Sequence, residues 1–293
     1  MADDEKELKV SFFSKEEYTC PICDTAFHRE ELLSGSGRLI AGGLTDELHR
    51  LYEPSAKYGE IYPLAYQATV CPECWFASLD KDFSSPPKHA INQANADRDR
   101  RVADAKLLFP GLDFWDSRNL LNGTASLYLV LRCYDYYPKE FSPTLKQGIA
   151  ALRTGWMMEH LAEKYPDQHF DWLAQLFKKK AQFFYSQAII KEQSGREPLA
   201  GIKNYGPDTD KNYSYEGVLY LSGLLLLRYG PRIAPENRRD ALDEIKRTIA
   251  KLFGLGKSSK SKPGPLLEHA RNLYDSINRE LNENDDPPPD ADD

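Results

Sequence analysis

The sequence predicts a mainly α-helical protein with a small β module at its N-terminus, and three observations predict it. Two C-P-x-C pairs, Cys20/Cys23 and Cys71/Cys74, stand in the first 80 residues among Gly, Tyr and short alternating segments. A Pro86-Pro87 pair then interrupts regular structure. From residue 113 onward apolar residues recur at steps of three and four, the period of an amphipathic helix. With 293 residues, 41% of them hydrophobic and 28% charged, the chain is long enough for two packed modules and polar enough to stay in water.

Five segments follow in order. Residues 1–17 read as a flexible acidic N-terminus, lacking the cationic start and apolar block of a secretory signal. Residues 18–80 read as the cysteine-bearing β module, and 81–112 as a linker whose stretch "ANADRDRRVADAKLLF" is a bridging helix ended by Pro110 and Gly111. Residues 113–282 read as about six helices, and 283–293, ending "DDPPPDADD", as a disordered acidic tail.

The helical faces are explicit. Leu145, Ile149, Leu152 and Trp156 share one face, as do Phe170, Leu173, Phe177, Ala181, Phe184 and Ala188. The sets Leu242, Ile245, Ile249, Leu252 and Leu266, Ala270, Leu273, Ile277, Leu281 repeat the pattern. "SRNLLNGTASLYLVLRCYDYY" and "SYEGVLYLSGLLLLRYG" are apolar nearly all round and call for neighbours on two sides. Ala181, Tyr185, Ala188 and Ile189 have the small-aromatic-small spacing of a tetratricopeptide second helix, so the expected architecture is a TPR-like array of helical hairpins. The longest apolar run, Val218 to Leu227, is too short to cross a bilayer.

A C-x-x-C turn aims two sulfurs into one hemisphere, and two such turns complete the tetrahedral four-sulfur shell that zinc prefers. Cys20, Cys23, Cys71 and Cys74 are therefore the candidate ligands of a structural Zn2+ in a zinc-ribbon-like module, with a rubredoxin-like iron site as the alternative. The 47 residues between Cys23 and Cys71 exceed the usual ribbon spacing and imply a long insert, read as a small sheet with a short helix. His28 and His49 are the histidines that could substitute for a cysteine; Cys133, inside a buried helix, reads as a small core residue.

Two other patterns fail. Gly256-Lys257-Ser258 in "FGLGKSSKSKPG" follows a helix where a P-loop requires a strand, and reads as a basic turn. Asp208, Asp210 and Asn212 open like a calcium loop, but Tyr213 replaces its glycine and Leu219 its bidentate acid, leaving a turn with Asp caps. No catalytic motif is present, and a closed four-sulfur shell has no open position for substrate, so the chain reads as no enzyme.

Charge points to partners. Lys and Arg exceed Asp and Glu between Lys139 and Arg279, while the rest of the chain is strongly acidic. The segment from Cys20 to Asp80 holds four bases against nine acids, which repels phosphate backbones. The favoured function is a cytoplasmic, non-catalytic, zinc-containing interaction or adaptor protein that takes a protein or acidic peptide in its helical groove, with the acidic tail competing for it. The alternative is a nucleic-acid-associated regulator using the zinc ribbon.

Taken together, "YTCPICDTAF", "YPLAYQATVCPECWFAS", "FSPTLKQGIAALR", "KAQFFYSQAI" and "GPDTDKNYSYEGVLYLSGLL" resemble an uncharacterised bacterial family, domain of unknown function 2225, and look most like its spirochaete-type members. The resemblance runs from about Tyr18 to Asn278. It implies paired cysteines followed by TPR-like helices and brings no activity with it. Asp24 and Trp75 stand where a zinc knuckle often places glycine.

Overall fold

Each cysteine pair forms the turn of its own antiparallel hairpin. In the computed structural model, which describes residues 9–254 and 264–283, β1 (Ser11–Thr19) and β2 (Ala26–Leu32) flank Cys20 and Cys23. After β3 (Ile40–Leu44) and β4 (Arg50–Glu53), the short strands β5 (Ala68–Val70) and β6 (Ala77–Leu79) flank Cys71 and Cys74. The insert thus contributes one hairpin and a 3-10 turn at Pro63–Tyr66 in place of the short helix the sequence suggests. Strand β1 begins at Ser11, inside the stretch read as flexible, because its backbone pairs with β2 from Ser11 against Leu32. The basic turn after Gly256 and the acidic tail beyond residue 283 lie outside the described residues.

The segment read as a linker is packed. It folds as α1 (Asp80–Phe83), α2 (Lys88–Ala96) and α3 (Arg98–Leu108), the Pro86-Pro87 pair falling between α1 and α2. Phe83, Ala90, Ala94, Ala105 and Phe109 are fully buried, so this stretch supplies core to both sides. Phe83 meets Phe27 of β2 edge-on at 5.8 Å and Phe76 of the third hairpin at 5.4 Å, which wedges one ring between the two cysteine hairpins.

Six helices follow: α4 (Leu120–Cys133), α5 (Pro143–Lys164), α6 (Phe170–Gln193), α7 (Ser214–Tyr229), α8 (Pro235–Gly254) and α9 (Gly264–Glu283). Successive helices pack on one another, and the protein is mainly α. Each predicted face is inward: Leu145, Ile149, Leu152 and Trp156 are buried, as are Leu266, Ala270, Leu273, Ile277 and Leu281. Helix α4 starts from a reciprocal cap, the Asn119 side chain accepting from Asn122 N–H (2.9 Å) and the Asn122 side chain accepting from Asn119 N–H (2.8 Å). A Cβ at Gly123 would lie 2.4 Å from that of Ala65, so α4 closes on the Pro63–Tyr66 turn only because position 123 has no side chain. Hairpin module and helices share one contiguous buried cluster among the described residues.

The β3–β4 hairpin projects its loop, Thr45–His49, across α5, α6 and α7. Leu48 at its tip is fully buried with a left-handed φ of 60°. The Glu47 carboxylate, also buried, accepts from Trp156 Nε1 (2.5 Å) and the Tyr229 hydroxyl (2.9 Å) and pairs with Lys178 (3.2 Å) and Arg228 (3.5 Å). His49 stacks on Trp156 at 4.2 Å and meets Asp208 through Nδ1 at 2.5 Å. Asp208 also accepts from Arg50 N–H (2.8 Å), while Asp210 pairs with Arg50 (3.0 Å). The two acids read as helix caps therefore serve as anchors for the insert, and Asn212 accepts from Ser214 N–H at the start of α7. Burial alone would raise the Asp208 carboxyl, but its bonds to His49, Thr209 N–H and Arg50 N–H hold it below its ordinary value.

Removing the Glu47 carboxylate leaves Lys178 and the Trp156 and Tyr229 donors buried and under-compensated. Glu47→Ala is expected to cost about 3 kcal/mol in urea unfolding, with Glu47→Gln, which keeps the acceptor oxygen, costing less. Equal midpoints for the parent and Glu47→Ala would show that the loop does not tie the helices.

Candidate metal centre

The two cysteine turns face one another and repeat the same backbone geometry. Cys20 N–H donates to the Thr25 carbonyl (2.9 Å) and Asp24 N–H to the Cys20 carbonyl (3.0 Å). In the second turn Cys71 N–H donates to Phe76 (2.9 Å) and Trp75 N–H to Cys71 (3.0 Å). Asp24 and Trp75 both take left-handed φ, 60° and 56°, the conformation for which glycine is usually chosen. Trp75 meets that demand while anchored: its Nε1 donates to Pro72 O at 3.2 Å, and its ring packs edge-on against Phe114 at 5.4 Å.

This geometry gathers all four sulfurs within 4.8 Å of one another. Cys20 and Cys74 approach to 3.6 Å, Cys23 and Cys71 to 3.5 Å, so the close pairs run between turns. A tetrahedral ion with sulfur bonds of about 2.3 Å requires sulfur separations of roughly 3.8 Å. Cys20, Cys71 and Cys74 are fully buried and Cys23 partly so, which shields the cluster from water. Ile22 N–H points at the Cys20 sulfur (3.4 Å) and Cys74 N–H at that of Cys71 (3.5 Å). The set fits a divalent metal ion in donor type, number, spacing and supporting N–H groups.

The sulfurs also show what crowding does to charge. The hydrogen bond from Cys20, followed by one from Cys74, holds Cys71 down to about 2. Its bond to Cys71 pushes Cys20 up to about 12, and bonds to Cys20 and Cys71 push Cys74 up too. Four thiolates this close would repel one another, and a cation among them offsets that repulsion.

The sequence pattern of a bacterial family described as uncharacterised protein conserved in bacteria, DUF2225, matches residues 13–277. The chain belongs to this family. An uncharacterised protein of Borreliella burgdorferi is 40% identical to this DUF2225 chain over 273 residues, covering 93% of the chain and 98% of the relative. No solved structure matches it.

In this DUF2225 protein the remaining histidine and cysteine candidates stand apart from the sulfurs. His28 Nδ1 lies 2.9 Å from the Ser14 carbonyl on the outer side of the first hairpin, and His49 is committed to Asp208. Cys133 is fully buried at the end of α4, where its sulfur accepts from Ala77 N–H of β6 at 3.4 Å and burial pushes its thiol up to about 11. It supports the β5–β6 hairpin. Among the described residues no second group of His, Cys, Asp or Glu converges on a metal-sized space.

Sequence reasoning missed Arg101. This fully buried arginine donates from Nη2 to the Cys74 carbonyl (2.8 Å) and from Nη1 to Ala94 (2.8 Å), fastening the second turn to α2 and α3. It sits in a run of charged residues, "RDRR", where periodicity gives no sign of which arginine turns inward.

Two variants separate the roles of the cysteines. Cys71→Ser should lower bound metal from about one ion per chain to a small fraction by elemental analysis, with several kcal/mol of stability lost. Cys133→Ser keeps an acceptor for Ala77 and should retain the metal. Equal metal content in the two variants would sink the assignment.

Proposed function

We propose that the protein is a non-catalytic interaction protein whose N-terminal hairpins are locked by a structural Zn2+. Four soft thiolate donors in a compact shell favour zinc, with iron second, and leave no open position for chemistry. A shell of reduced thiols suits the cytoplasm. Among the described residues no helix is long and apolar enough to cross a membrane.

One observation carries the partner. On α6, Trp172, Leu176, Phe183 and Ile190 are all exposed, Trp172 by 63% and Phe183 by 55%. At about 100° per residue their positions fall within one sector of about 40°, extending over roughly 27 Å. Such an apolar stripe supports the reading of a docking face, and Lys179 and Lys180 flank it. The cations facing the insert, Lys178 and Arg228, already bind the chain's own Asp46 and Glu47, whereas Lys179 and Lys180 stand exposed beside the stripe, where an acidic segment could meet them. The occupant we assign is an amphipathic helix of another protein, apolar along one stripe and acidic at its edges. The chain's acidic tail is a competitor of the same chemistry.

Capture from cells that make the protein tests this. Phe183→Glu should abolish recovery of the partner while leaving the melting temperature unchanged, and raised salt should weaken recovery from the parent chain. A partner recovered equally by both forms would place recognition elsewhere.

A further inference from the structure

A cleft of about 500 Å³ opens where the β5–β6 hairpin and α1 meet the N-terminal half of α5 and the loop 201–204 that follows α6. Lys146, Ile149 and Arg153 line it from one face of α5, at steps of three and four. Leu79, Phe141 and Ile202 add apolar wall. None of the lining residues belongs to the sulfur cluster or to the exposed stripe of α6.

The charges around this cleft are unequal: Lys81, Lys146, Arg153 and Lys203 face Asp82 and Glu140. Asp82 is engaged with Lys146 (2.5 Å) and accepts from the Tyr134 hydroxyl (2.7 Å). Glu140 is exposed, and even if it neutralises one of the exposed lysines, Lys81 or Lys203, the other lysine and Arg153 have no matching acid on the wall.

Arg153 decides what the surplus is for. It is only 6% exposed and, among the described residues, forms no ion pair and a single hydrogen bond, from Nε to the Pro207 carbonyl (2.6 Å). Nη1 and Nη2 have no partner among the described residues and neither is sealed from solvent, so the free end of the fork is open to the cleft. Asp208, the acid whose charge reaches Arg153, does not line the cleft and is already bonded to His49, Thr209 N–H and Arg50 N–H. Burial pulls the Arg153 guanidinium below its ordinary value, the mark of a cation whose charge is incompletely offset. An anion entering from solvent gives these donors a charged acceptor where screening by water is reduced.

Size and lining narrow the class of anion. The volume lies within the roughly 300–1,000 Å³ of small-molecule sites, which concentrate at junctions between packed units. A bare inorganic ion would leave the apolar wall uncovered, while a guanidinium at depth with two exposed lysines suits at least two negative charges.

We propose that this cleft binds a small organic polyanion, a phosphate ester or polycarboxylate, whose charged head takes the Arg153 fork and whose remainder lies against Phe141, Ile149 and Ile202. Lys81 and Lys203 meet its outer charge. Binding involves no bond making or breaking.

Calorimetric titration of the full metal-loaded chain with AMP, ribose 5-phosphate, citrate and adenosine tests it. The phosphate esters or citrate should bind saturably, and adenosine should not; which anions bind identifies the head group. Arg153→Met should weaken anion binding about tenfold or more. Arg153→Lys keeps the charge but loses the fork and should also bind more weakly. If Arg153 variants fail to fold, Lys81→Ala combined with Lys203→Ala, both at exposed positions, carries the test and should weaken binding about tenfold. Lys179→Ala, on the outer face of α6, should titrate like the parent. Absence of saturable binding by every anion, equal binding of adenosine, parent-like titration of a folded Arg153 variant or of the double lysine variant, or an equal loss in Lys179→Ala would each overturn the proposal.

Discussion

The convergence of two hairpin turns on one point is the constraint on which the rest of the structure depends. Residues 20–23 and 71–74 are far apart in the chain, yet their sulfurs lie within 4.8 Å. Strands as short as β5 and β6, three residues each, cannot stand alone. They are held by the cluster on one side and on the other by Cys133 and Tyr134 at the end of α4, which accept from Ala77 and Leu79 N–H. The helical array therefore meets a platform whose shape the cysteine turns define, and Phe83 and Arg101 transmit that shape into α1, α2 and α3.

The insert, which separates the cysteine pairs in the chain, joins the two halves in space. Its loop brings Asp46, Glu47 and His49 to partners on three helices, so acidic charge from the hairpin half is matched by basic charge from the helical half. The indole of Trp156 has both roles here: its face stacks on His49 and its N–H binds Glu47. Polar contacts and apolar burial therefore fix the same docking position.

The cysteine set and the helix faces were legible because each is a local pattern: two residues between sulfurs, three or four between apolar positions. Leu145 to Trp156 and Leu266 to Leu281 bury as their spacing requires. The polar anchors were not legible. Glu47 meets Trp156 109 positions later and Tyr229 182 positions later, and nothing near Glu47 in the sequence distinguishes it from the acids that stay exposed. Asp208 and Asp210 looked like caps because caps are the commonest local use of Asp before a helix, whereas a long-range hydrogen bond to His49 and an ion pair to Arg50 took precedence. The packing of residues 81–112 was hidden too, since small buried residues such as Ala90, Ala94 and Ala105 give almost no apolar signal.

The anchoring of Glu47 bears on how the chain assembles during synthesis. The loop is made early, but Arg228 and Tyr229 follow about 180 positions later, and a ribosome adding about 5–20 residues per second needs some ten seconds or more to reach them. Through that interval the acid remains hydrated, and its dehydration is deferred until α7 arrives. Closure of the loop onto the helices is accordingly a late event, with a long stretch of chain ordered at once.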